Sequence, residues 1–126
     1  VININYYFAS KKNFDGETLI PRIPTNKMKC EDDIIQRICV SQSINGCLTA
    51  VGGFNIGDII YIYNCKSNSA IQPHLKQVND VCFTGEQWIL EPVEMKLFMT
   101  VVIIGMIDAT VNNMSNIMYS FKLVEN

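Results

Sequence analysis

The sequence predicts an α+β domain: a curved, mainly antiparallel β core with one clear helix and one or two short ones. Three observations lead there. Runs rich in β-branched and aromatic residues recur along the chain, as in INYYFAS (Ile4 to Ser10), GDIIYIYNC (Gly57 to Cys65) and KLFMTVVIIGMIDATV. Such residues fit a pleated, half-buried surface. One segment carries an apolar stripe at i, i+3, i+4 and i+7: Ile44, Cys47, Leu48 and Val51. The strand-like runs do not alternate with helical ones as βαβα, which argues against a doubly wound parallel sheet.

The elements follow in order. Ile4 to Ser10 reads as a first strand. Asp15-Gly16 is a turn signal, and Pro21 and Pro24 exclude regular structure across Leu19 to Thr25. KCEDDIIQ holds one short helical turn, whose acids Glu31, Asp32 and Asp33 suit a helix N-terminus. In RICVSQSINGCL, Ile38 to Ser41 is a buried strand and Ser43 caps the helix, its side-chain oxygen accepting free N–H groups of the first turn. Gly52-Gly53 stops that helix. Gly57 to Cys65 is a strand, and KSNSAIQPHLKQVNDVCF is mostly loop. Glu86 to Pro92 is a strand ended by its proline. The longest apolar run, Leu97 to Ile107, has 11 residues, where a membrane-crossing helix needs about 20. Its β-branched Val101, Val102, Ile103 and Ile104 predict one or two buried strands. Asn112-Asn113 predicts a turn, and Ile117 to Glu125 a closing strand.

Bulk properties narrow the function classes. The 126 residues suit a single globular domain, 1–126, and 48% hydrophobic content supplies one core. The net charge of −2 offers no basic footprint for DNA or RNA. VININYYFAS shows neither a basic n-region nor a long apolar run, so a cytoplasmic protein without a membrane span is expected. Five cysteines, with no CxxC pair and only His74 as imidazole, argue against a metal site. They are expected to be reduced and mostly buried. The 18 Ile and 13 Asn suit an AT-rich genome, such as that of a low-GC bacterium, a phage or another mobile element.

The order of the pieces carries a resemblance. A strand YYFAS is followed by the extended GETLIPRIP, the strand-corner-helix RICVSQSINGCLTAV, the strand IYIYNC, and finally FTGEQWILEP. Over roughly Tyr6 to Val93, this resembles small bacterial proteins of the ADP-ribosyltransferase-like fold. The resemblance implies a cleft that holds NAD. Ser41 and Ser43 would match the serine-bearing corner that lines it. Glu86 would match the catalytic glutamate, and Arg22 or Arg37 would meet phosphates. The chemistry suits these residue types: a carboxylate stabilises the oxocarbenium-like centre left by glycosidic cleavage, and a guanidinium binds a pyrophosphate. Two positions depart from the family pattern. Phe8 stands where a histidine is expected, and Thr84 where an acidic or amide residue often stands.

Each residue also has a simpler use. The serines can serve as cap and strand edge, and Glu86 can be a solvated residue where a strand begins. Arg37 can pair with Asp32 or Asp33. Arg22, held in a rigid segment between two prolines, is the more suggestive cation. His74 reads as an exposed loop residue, and Trp88 as core or an interface anchor. Met95, Phe98 and Met99 read as core. Three functions follow. The first is a domain binding NAD or a related nucleotide with an incomplete catalytic signature. The second is a non-enzymatic interaction protein of a phage or mobile element, acting through protein–protein contact. A subunit of a larger assembly is a third.

Overall fold

A computed structural model describes residues 4–24, 34–67, 69–73, 84–111 and 114–124. The elements are β1 (Ile4–Ser10), β2 (Thr18–Leu19), β3 (Ile38–Ser41), α1 (Ile44–Val51), β4 (Ile59–Ser67), β5 (Glu86–Ile89), β6 (Val93–Glu94), β7 (Lys96–Val111) and β8 (Met114–Leu123). Six strands form one sheet in the order β5-β3-β1-β4-β7-β8, and β2 pairs with β6 in a small second ladder. Every pairing is antiparallel. The first strand lies inside the sheet, as its β-former run predicts.

The two-residue alternation of strands sorts the core into two faces. Ala9 pairs with Ile62 and Ile60 with Val101; these side chains are buried together with Cys47 and Leu48 of α1. Their neighbours Tyr6, Val40, Tyr63 and Cys65 point the other way, into a second cluster that Leu19 of β2 and Val93 of β6 cover.

Helix α1 forms where the stripe predicts it. Ser43 has extended backbone and its Oγ accepts from Gly46 N at 3.0 Å. Gly52 ends the helix with φ 65°, a left-handed value that glycine takes without strain, and its N–H donates to Leu48 O at 2.9 Å. Replacing Ser43 by Ala removes the cap and should cost ~1 kcal/mol of unfolding free energy, measurable by urea denaturation. Leu48 and Cys47 are fully buried, whereas Ile44 and Val51 are only partly so.

Curvature follows from what α1 touches. It contacts β1 and β3, and also β8, three places along from β1. Three strand spacings are about 14 Å, more than the ~10 Å width of one helix. The sheet therefore curls around α1. Thr49 Oγ1 donates to Ile117 O at 2.9 Å and Phe54 N donates to Tyr119 Oη at 3.3 Å, tying this side to β8.

One expectation is corrected. Leu97 to Ile107 belongs to one strand, and it is not buried throughout. Val101 and Ile103 are fully covered, but Leu97, Phe98, Ile104, Met106 and Ile107 are exposed. For Ile104, Met106 and Ile107 the reason is topological: β4 and the residues just before it bond β7 as far as Ile103, and beyond that β7 pairs with β8 alone as a projecting hairpin. Leu97 and Phe98 are exposed within the part that β4 pairs. Smaller differences lie at strand ends. β4 runs to Ser67, β5 stops at Ile89, and β8 begins at Met114. The expected turn at Asn112-Asn113 falls outside the described residues, between the paired Val111 and Met114. Also outside them lie Glu31, Asp32 and Asp33 of the expected helical turn, together with His74, Cys30 and Cys82. Among the described residues, no helix is long and apolar enough to cross a membrane.

Candidate functional site

A cleft opens where β1 and β3 part. The two strands pair only at Tyr7 and Ser41. Beyond that point β3 takes a different neighbour: Arg22 N donates to Arg37 O at 3.0 Å, and Arg37 N to Arg22 O at 2.9 Å. The end of β1 and the start of β3 thus become the two walls of a cleft of about 810 Å³. That volume lies within the range of small-molecule sites, about 300–1,000 Å³. The C-terminal end of α1, from Ala50 to Gly53, closes one side, and the segment bearing Arg22 and Pro24 lies along another.

The β1 wall is aromatic, with cations at its end. Phe8, Phe14 and Tyr63 form a cluster with ring centroids 6.2–6.4 Å apart. Tyr63 Oη donates to Lys12 O at 3.0 Å and so fixes the chain leaving β1. Lys12 Nζ lies 4.9 Å from the Phe14 ring centroid. Lys11 pairs with Asp58 at 3.1 Å. The backbone N–H of Asn55, and then Lys11, hold the Asp58 carboxyl below its usual range.

The opposite wall carries the carboxylate. Gly85, at φ 64°, turns the chain into β5, which Glu86 begins. Glu86 is 4% exposed, and its Oε2 accepts from Trp88 Nε1 at 2.6 Å. Arg37 is also buried; its guanidinium lies 4.2 Å from the Trp88 ring centroid and its Nη1 donates to Ile35 O at 2.8 Å.

The serine corner and the TGE corner brace one another. Ser41 pairs with Glu86 across the ladder, and its Oγ donates to Thr84 O at 2.8 Å and accepts from Ser43 N at 3.3 Å. Thr84 Oγ1 in turn accepts from Glu86 N at 3.2 Å. Both serines therefore act on backbone, one as brace and one as helix cap, and neither lines the cleft. Arg22, Arg37, Glu86 and Phe8 do line it. Lys11, Lys12 and Phe14 also line it and were not singled out from the sequence. Their signal was available: a Lys-Lys pair directly after the strand bearing Phe8 must leave that strand beside the same cleft.

Cys39, Cys47 and Cys65 are free thiols. Burial, and then the nearby Cys65, push Cys47 up to about 12, and burial pushes Cys65 up to about 12. Their thiolates are thus suppressed near neutral pH. Maleimide at pH 8 should modify Cys39 well before Cys47 or Cys65, as peptide mapping by mass would show; rapid labelling of Cys47 would contradict its burial. Folded pKa values above the unfolded value mean that this contribution to stability is full below about pH 9. It is lost as the pH rises toward 12.

Among the described residues, no group of three or more His, Cys, Asp or Glu is placed to hold a metal ion. No protein-family model matches the chain, and no curated protein or solved structure matches it.

Proposed function

We propose that the chain is an ADP-ribosyltransferase-like domain that binds NAD or a related nucleotide in the cleft between β1 and β3, with catalysis degenerate. One observation carries this reading: Lys12 on the β1 wall and Glu86 on the opposite wall, with Arg22 and Arg37 beside β3, bring both signs of charge to one cleft over an aromatic cluster. NAD has a matching division of charge, a cationic nicotinamide ring and an anionic pyrophosphate. Arg22 and Lys12 are the cations suited to the pyrophosphate. Arg37 is held by Trp88 and Ile35 and contributes its charge from a fixed place. The partial negative charge of the α1 C-terminus and the Glu86 carboxylate favour the cationic ring and the oxocarbenium-like centre. Phe8 offers shape and no hydrogen bond where a donor would hold the nicotinamide side.

Weak binding and little turnover are therefore expected. Calorimetric titration with NAD should give a Kd in the high micromolar to millimolar range. Arg22→Ala should weaken it about 10-fold, equivalent to about 1.4 kcal/mol. Nicotinamide release should be slow and should vanish in Glu86→Ala. No binding at millimolar NAD would reject the reading, and brisk release surviving Glu86→Ala would place the chemistry elsewhere.

A second reading, a protein that acts by contact with another protein, draws on the projecting β7–β8 hairpin. There Ile104, Ile107 and Met118 are exposed, and exposed apolar surface of this kind marks interaction sites.

A further inference from the structure

We infer that Trp88 is the positioning residue of the cleft, one buried indole that sets both the Glu86 carboxylate and the Arg37 guanidinium. The inference rests on the reading of the cleft as a nucleotide site. Glu86 and Trp88 are two apart on β5 and so share a face. Trp88 pairs with Cys39 across the ladder, and Arg37, two residues before Cys39, falls on that same face. The indole meets each neighbour with a different part. Its N–H edge donates to Glu86 Oε2 at 2.6 Å, a short, charge-assisted hydrogen bond. Its π face lies 4.2 Å from the guanidinium carbon, the geometry of a cation–π contact.

Burial makes both contacts constraining. Trp88 is 0% exposed, Arg37 1% and Glu86 4%. At such depth water does not readily replace a lost donor, so a carboxylate that loses the indole N–H loses one of the bonds that orient it. The two functions of the indole are separable. Phenylalanine keeps the π face for Arg37 and removes only the donor to Glu86.

Trp88 is the single tryptophan of the chain, so its signals are unambiguous. In an ¹⁵N spectrum of the whole chain, its indole N–H should be shifted downfield and slow to exchange, and should move upfield in Glu86→Gln. Added NAD should change both this resonance and the tryptophan emission. Trp88→Phe should keep the native circular dichroism and weaken NAD binding about 10-fold. Trp88→Phe combined with Glu86→Gln should bind no more weakly than the worse single variant, because each weakens the same indole–Glu86 contact, one by removing the donor and the other by removing the acceptor's charge. Unchanged NAD affinity in Trp88→Phe, or an indole resonance unmoved in Glu86→Gln, would overturn the inference. If the unaltered chain fails to bind NAD, the nucleotide reading falls and the positioning role is judged without ligand. The Glu86 side-chain carboxyl ¹³C resonance should then shift in Trp88→Phe, and no shift would overturn it. If Trp88→Phe does not fold, Glu86→Gln reads the same contact from the other side.

Discussion

Gly46→Ala is expected to destabilise the chain by about 2–6 kcal/mol, a large share of the roughly 5–15 kcal/mol that holds an ordinary domain folded. At most helical positions the same change would stabilise by up to ~1 kcal/mol, because alanine is the better helix former. Here it does the reverse for a steric reason. A Cβ on Gly46 would stand less than 3.0 Å from the Thr84 carbonyl oxygen and from the Oγ atoms of Ser41 and Ser43. The first two form the brace between the serine corner and the TGE corner, and Ser43 Oγ is the helix cap. Inserting a methyl there forces a backbone carbonyl to move, an overpacking cost of about 1–3 kcal/mol. It also breaks the buried Ser41–Thr84 hydrogen bond, leaving polar atoms unsatisfied at about 1–3 kcal/mol more. Urea denaturation followed by circular dichroism would measure the loss. A Gly46→Ala protein as stable as the parent would show that α1 and the strand corner do not pack as closely as described.

Leu48→Ala should cost ~2–5 kcal/mol, through lost burial and the cavity left behind. Leu48 is 0% exposed and belongs to the cluster of Ala9, Phe54, Ile60, Ile62 and Val101, so the hole would sit where α1 meets the middle of the sheet. Collapse into it is resisted because α1 is held at both ends, by the Ser43 cap and by the Thr49 bond to β8. The midpoint of denaturation should fall with little change in its slope. A loss under about 0.5 kcal/mol would mean the stripe faces water.

Local pattern was enough for β1 and α1, and for β7 it gave strand while leaving open one strand or two. The bounds Ile4–Ser10 coincide with the β-former run INYYFAS, and Ile44–Val51 with the stripe between Ser43 and Gly52. Each rests on short-range physics: propensity, side-chain period, a cap and a left-handed glycine. The apolar run in β7 was misjudged for burial, because hydrophobicity reports what can be covered and topology decides what is. Beyond Ile103, the last residue bonded from the β4 side, β7 pairs with β8 alone, and Ile104, Met106 and Ile107 emerge into solvent.

The same division holds at the cleft. The sequence by itself determined the residue types available there, Arg22, Arg37 and Glu86, and the absence of a polar donor at Phe8. It also determined that Ser43 would cap α1, since that contact reaches only three residues along the chain. Tertiary structure alone decided that Ser41 turns to the Thr84 carbonyl 43 residues away. It alone parted β1 from β3 after a single pairing, which creates the cleft, and it alone set one indole between Glu86 and Arg37. These contacts depend on which strands become neighbours, and strand neighbourhood is a long-range choice settled by how the whole set of apolar faces is buried.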